Sequence, residues 1–293
     1  MKGSVFLQEP LPIPSSSDSL TLSSSSWHLT EPLLAVGTSS GFLYVYNVTK
    51  NTFYSNQIIE PHFSLSRPYH VTCLSWHPSE PLLLIGWQNG VVTILNTDTS
   101  VYHDCTSHTS PVSSIQLTAS FSVFSCCTSG LLCSWSLQED RLFLSKSHSF
   151  SPIALLSPLD RPLPPNPASE SDAMPLSDYV FVSCADNSLY LVNSGLSVFP
   201  LPSSSSPLVF IGQVNSSGNV VTLSSDLELS RFELYSDGSH DVIADSSIHL
   251  STTSSSLLSA SFADTSRSLL ATLTKEQVIR LWSLLPEEEG SLQ

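Results

Sequence analysis

Hydrophobic positions in this chain come in short runs broken by polar turns. Leu33-Leu34-Ala35-Val36-Gly37 is one run, Thr38-Ser39-Ser40-Gly41 is turn chemistry, and Phe42-Leu43-Tyr44-Val45-Tyr46 is a second run. Neither run is long enough for an ordinary helix, so the pattern predicts a β-hairpin. In the second run both parities are apolar, with Phe42, Tyr44 and Tyr46 on one face and Leu43 and Val45 on the other. Such a strand has to be buried on both sides.

The hairpin returns 49 residues later without a gap. Ser26-Trp27-His28, Glu31-Pro32-Leu33-Leu34, Gly37, Gly41 and Asn47 reappear as Ser75-Trp76-His77, Glu80-Pro81-Leu82-Leu83, Gly86, Gly90 and Asn96. Weaker copies run from Phe124 to Ser136, Tyr179 to Asn193, Val220 to Leu234 and Leu269 to Ser283. The hairpin ends are spaced by 49, 40, 57, 40 and 50 residues. Without insertions the unit is about 40 to 45 residues. A unit of this size with two apolar faces must stack on its neighbours, as the blades of a propeller do. The expected fold is therefore all-β, a propeller of six to seven blades, its ring either incomplete or closed by an N-terminal strand at Val5-Phe6-Leu7.

Length and composition narrow the picture. The 293 residues fit one propeller, so a single domain over 1–293 is expected, with a flexible Pro/Ser-rich insertion from Phe150 to Ser177 explaining the long spacing. Charged residues make up only 12%, with 10 Lys+Arg against 25 Asp+Glu and a net charge of −15. That balance disfavours nucleic-acid phosphates and direct membrane binding, and suits a partner with a basic surface. No apolar run approaches the roughly 20 residues of a spanning helix, and prolines interrupt the N-terminal segment where a signal peptide would be apolar. The six cysteines form neither a ligand pair nor a disulfide pattern, which points to reduced thiols in an intracellular protein.

Candidate chemistry is weak. Gly37-Thr38-Ser39-Ser40-Gly41 satisfies the G-x-S-x-G hydrolase pattern, but that motif needs a helix after the serine and here a strand follows. His28 and His77 share a repeat position with no recurring ligands beside them, so hydrogen bonding is expected of them, not metal binding. No catalytic, cofactor-binding or metal residues are expected. Trp27, Gly37, Gly41, Trp76, Gly86, Gly90, His108, Trp135 and Trp282 recur as structural repeat positions. Trp87 stands apart: it falls in an inter-strand turn where the first repeat has Thr38 and the third has Thr128. With Gln88 and Asn89 it is the expected partner-binding site, since turn aromatics on a rigid scaffold are typical anchors; packing on a neighbouring blade is its alternative.

Two resemblances follow from these residues. His108-Thr109-Ser110-Pro111-Val112, followed by Trp135-Ser136, resembles the start and end of a WD40 repeat, although Ser107 and Ser136 stand where that signature has Gly and Asp. More specifically, Trp76-His77-Pro78 with Gly86-Trp87-Gln88-Asn89-Gly90-Val91-Val92-Thr93 looks like the N-terminal WD40 propeller of the intraflagellar transport protein 140 family. The likeness is specific over about residues 25 to 140, and the sequence has no counterpart of that family's second propeller or helical repeats. The resemblance implies a non-catalytic scaffold, a subunit of intraflagellar transport complex A or a fragment of one. Its partners would be other complex A subunits, its work retrograde transport and cargo entry, and its location the cilium or flagellum and cytoplasm. A generic WD40 adaptor in a ubiquitin ligase or trafficking coat shares the general features.

Overall fold

A computed structural model describes residues 21–48, 60–118, 121–159, 163–167, 178–214, 218–243, 248–249, 257–262, 269–275 and 278–284. Every regular element in them is a β-strand. The first sheet holds β1 (Leu22–Trp27), β2 (Leu33–Thr38), β3 (Phe42–Asn47) and β4 (Phe63–Ser66), and the second β5 (Val71–Trp76), β6 (Leu82–Trp87), β7 (Val91–Asn96) and β8 (Val101–Thr106), both in sequence order. The third has β9 (Val112–Leu117), β10 (Val123–Cys127), β11 (Leu131–Gln138) and β12 (Arg141–Ser149). The fourth has β13 (Ile153–Pro158), β14 (Tyr179–Cys184), β15 (Leu189–Asn193) and β16 (Val198–Leu201). The fifth has β17 (Leu208–Gln213), β18 (Asn219–Ser224), β19 (Glu228–Leu234) and β20 (His240–Val242), with β21 (Ile248–His249) also on β19. The sixth has β22 (Leu257–Phe262), β23 (Leu269–Thr274) and β24 (Ile279–Ser283). These are the blades of a WD40-type β-propeller, and all six predicted hairpins are present as β2–β3, β6–β7, β10–β11, β14–β15, β18–β19 and β23–β24.

Contacts gather the chain into two compact units, Met1–Ile115 with Leu137–Phe143, and Gln116–Ser136 with Leu144–Gln293. In the first unit, Leu33, Ala35, Leu43 and Val45 of the first blade pack against Val71, Trp76, Leu83, Ile85, Trp87 and Leu95 of the second. The opposite parity, Leu34, Val36, Tyr44 and Tyr46, forms a separate buried cluster. Burial on both faces is what the two apolar parities require. Gly37 permits the close approach of these two blades, because a Cβ there would lie 2.4 Å from Val71 Cγ1. In the second unit the blades form further apolar layers, among them Phe181, Leu191, Ile211, Val220 and Phe232, and Leu223, Leu229, Leu257 and Leu270.

One expectation is revised. The span 150–177 is not one flexible insertion: Ile153–Pro158 is a strand paired with β14, because Ile153 and Leu156 are needed in a buried cluster. Residues 163–167 also dock, Leu163 against an apolar cluster and Asn166 by hydrogen bonds from Nδ2 to Asp237 and Ser239 at 3.0 and 2.8 Å. The rest of that span, 160–162 and 168–177, lies outside the described residues. Among the described residues the sixth blade has three strands and not four. An N-terminal closing strand at Val5-Phe6-Leu7 falls outside the described residues.

Candidate functional site

The second blade carries the candidate site, and its turn is built by backbone geometry. Gly90 N–H donates to Trp87 O at 3.1 Å, closing a turn over Gln88 and Asn89, with Gly90 at φ +85°. That left-handed conformation suits glycine, and a Cβ at Gly90 would come within 2.3 Å of His108 O. Gly41 ends the equivalent turn of the first blade in the same way, at φ +87°. Gln88 and Asn89 are exposed.

Trp87 does not join them. It is the last residue of β6 and is 0% exposed, one of the largest fully buried side chains among the described residues. Its indole N–H donates to Thr93 Oγ1 at 2.8 Å, Thr93 Oγ1–H donates to Asp104 Oδ1 at 2.6 Å, and Arg67 donates to the same Asp104 oxygen at 2.8 Å. The Arg67 guanidinium lies 4.6 Å from the Trp87 ring centre and 5.4 Å from that of Tyr102. Strands β6, β7 and β8 and Arg67, the residue after β4, are thereby tied into one network, and the expected anchor is its floor. The reason is strand register. Trp87 occupies the place of Thr38 at the end of a middle strand, and the partner across β7 is a threonine able to accept the indole proton. What reaches the surface above this floor is Tyr102, Tyr69, Gln88 and Asn89. Sequence reasoning missed Arg67 and Asp104; they lie 20 residues before and 17 after Trp87, with no repeat equivalent to flag them.

The remaining framework residues fall into two groups. Trp135 donates from Nε1 to Ser125 Oγ at 2.8 Å and Trp282 to Thr272 Oγ1 at 2.9 Å. These are the same cross-strand position in the third and sixth blades. Trp76 is 7% exposed, its Nε1 donating to Ser26 O at 2.9 Å and its ring meeting the His28 ring edge-on at 5.2 Å. Trp27, its repeat equivalent, is instead 57% exposed. Among the described residues no preceding repeat offers Trp27 a carbonyl and an imidazole.

The histidines are structural. His28 Nδ1 accepts the amides of Thr30 and Glu31 at 3.2 and 3.0 Å, so its proton sits on Nε2, which donates to Glu80 O at 2.9 Å. His77 Nδ1 likewise accepts from Ser79 and Glu80 at 3.4 and 3.0 Å, and burial lowers its pKa. His108 is buried, and desolvation takes it down to about 4. Among the described residues no group of three or more His, Cys, Asp or Glu side chains could hold a metal ion. No helix among them is long and apolar enough to cross a membrane, which says nothing of a β-barrel.

Comparison with known proteins adds the family to this geometry. Residues 4–148 match the family of the IFT140 first β-propeller. The matched stretch contains the first two blades, the Trp87–Gly90 turn and the residues that pin it. Of the 1469 solved chains that match, one in a crystal structure of the mitotic checkpoint complex aligns with a TM-score of 0.68 at 13% identity, covering 92% of this chain and 77% of that one. At that identity the likeness shows the fold alone. No curated protein matches the sequence. The chain is thus a propeller, its first half similar to the IFT140 first β-propeller.

Proposed function

We propose that this chain is a non-catalytic scaffold of intraflagellar transport complex A, acting in retrograde ciliary transport and in the entry of cargo to the cilium. The observation that carries the reading is the family match over residues 4–148. Its contact surface is the turn Gln88-Asn89 and the exposed rings of Tyr69 and Tyr102, held rigid by Trp87 beneath. Rigidity favours binding because little conformational entropy is lost when a partner docks. On this reading the protein is not an enzyme, its partners are other complex A subunits, and it resides in the cilium and cytoplasm. Residues 1–293 act as one propeller, a reading supported by the 92% of the chain that one solved chain covers; a single calorimetric unfolding transition is the expected outcome.

The direct test is affinity purification of the tagged chain from ciliated cells. Complex A subunits should be enriched, and Gln88→Ala with Asn89→Ala should weaken their recovery while leaving the melting temperature unchanged. Recovery of ubiquitin-ligase or coat subunits in their place would overturn the complex A assignment.

A further inference from the structure

The turn between the two middle strands is closed by the same backbone hydrogen bond in five blades: Gly41 N–H to Thr38 O, Gly90 to Trp87, Gly130 to Cys127, Asn187 to Cys184 and Leu227 to Ser224. The closing residue is left-handed in each, at φ +87°, +85°, +90°, +66° and +71°. Glycine adopts this backbone freely, whereas a leucine there is strained and has to be held by its surroundings. The fourth and fifth blades therefore need a tie that the first three do without.

A serine from the loop ahead of each blade supplies it. Ser151 Oγ–H donates to Asp186 Oδ2 at 2.8 Å, and Ser206 Oγ–H donates to Asp226 Oδ1 at 2.6 Å. Asp186 and Asp226 stand just before Asn187 and Leu227, where the glycine-closed turns have Ser40, Asn89 and Ser129. An exposed proline follows each serine, and its carbonyl accepts the first amide of the turn: Ala185 N–H to Pro152 O and Ser225 N–H to Pro207 O, both at 2.8 Å. The two arrangements match bond for bond. The chain has four Ser-Pro pairs, and the fold sets these two apart from Ser157-Pro158. That pair lies within β13, with Ser157 Oγ–H bonded to Ile211 O at 3.2 Å, so a kinase cleft cannot draw it out without breaking the sheet. Ser206 instead sits in the loop 202–207 between β16 and β17, which can move without loss of ladder bonds.

We propose that Ser206, and Ser151 at the equivalent place in the fourth blade, are phosphorylated by a proline-directed, ATP-dependent protein kinase, and that the phosphoryl group unlocks the turn its serine had tied. In the transfer Ser206 Oγ bonds to the γ-phosphorus of ATP, the bond from that phosphorus to the ADP oxygen breaks, and the hydroxyl proton passes to the kinase's catalytic carboxylate. A near-dianionic group then stands where a hydroxyl met a carboxylate, and attraction becomes repulsion. Asp226 is suited to this because the hydroxyls of Ser206 and Ser224 hold its pKa below the ordinary carboxylate value. Once the tie is lost, Leu227 relaxes from its strained backbone and leaves the buried cluster it shares with Val221, Leu223 and Leu229. The proposal goes beyond the scaffold reading and does not depend on which complex the chain joins.

The test incubates the full chain with a purified mitogen-activated protein kinase and ATP, beside synthetic peptides centred on Ser151, Ser157 and Ser206, and locates phosphate by peptide mass spectrometry. In the folded chain Ser206 and Ser151 should be labelled at least tenfold faster than Ser157, although the three peptides are labelled alike. A Ser206 peptide that the kinase ignores overturns the proposal, as does a folded chain in which Ser206 stays unlabelled or Ser157 keeps pace with it. The consequence is read in a chain carrying Ser110→Ala and Ser151→Ala, where phosphorylation of Ser206 should lower the melting temperature by about 2 to 4 °C. Adding Asp226→Asn, which keeps an acceptor oxygen and removes the charge, should abolish most of that fall. An unchanged melting temperature on phosphorylation, or an equal fall with Asp226→Asn, overturns the unlocking. Failure of either kind leaves the complex A reading standing, since that reading is judged by co-purification.

Discussion

At the scale of single residues, Trp87 shows how a side chain conspicuous in sequence becomes structural. Its indole is buried with its proton donated to Thr93, under a guanidinium held by Asp104. Trp87→Ala should therefore cost about 3 to 5 kcal/mol, read as a fall in urea midpoint, whereas Trp27→Ala should stay within about 0.5 kcal/mol because the ring is largely in water. Equal losses for the two would contradict the burial difference. His108 gives a pH dependence. Its folded pKa of about 4 lies below the ordinary histidine value, so the unfolded chain binds the proton more readily. The contribution of His108 is complete above about pH 6.5 and is lost as pH falls toward 4, at up to about 1.4 kcal/mol per pH unit. His77, also lowered by burial, acts in the same direction. Denaturant titrations between pH 7 and 4.5 should show the decline, reduced in His108→Gln if that variant folds.

Each blade is an element with the same wiring, and the wiring explains the repeated residues. The first strand of every blade opens with an apolar residue, Leu22, Val71, Val112, Ile153, Leu208 or Leu257, and all but Leu22 are buried. In the first, second, fourth, fifth and sixth blades the register shifts just after it, a bulge that turns the strand into the sheet. The turn glycine is the second fixed point. Gly90→Ala combines a strained φ with a Cβ 2.3 Å from His108 O, a backbone atom that cannot swing aside, so a loss of more than about 1 kcal/mol is expected. Thermal unfolding of Gly90→Ala beside Asn89→Ala, an exposed turn residue, would measure it; an unchanged midpoint for Gly90→Ala would contradict the geometry.

At the scale of the whole molecule, the net charge of −15 on few charged groups leaves self-repulsion poorly compensated, with Arg67–Asp104 an ion pair that offsets little of it. Added salt should screen that repulsion and raise the melting temperature, a trend that scanning calorimetry at low and high sodium chloride would reveal or refute. The sequence alone determined the blade. Apolar runs of strand length, doubled parity in Phe42–Tyr46 and the 49-residue return of Trp-His, Glu-Pro and Gly leave no other way to bury the chain than stacked sheets. Hydrophobic periodicity is local, and local signals suffice for hairpins. What only the tertiary structure decided is which face of each residue meets protein. Trp27 and Trp76 share one sequence context, yet one is exposed and the other buried, because burial depends on the neighbouring sheet. The Trp87 network joins residues from three strands with Arg67, the residue after β4. Strand pairing and blade stacking bring together residues whose separation along the chain carries no periodic signal, and that is where the floor of the candidate site arose.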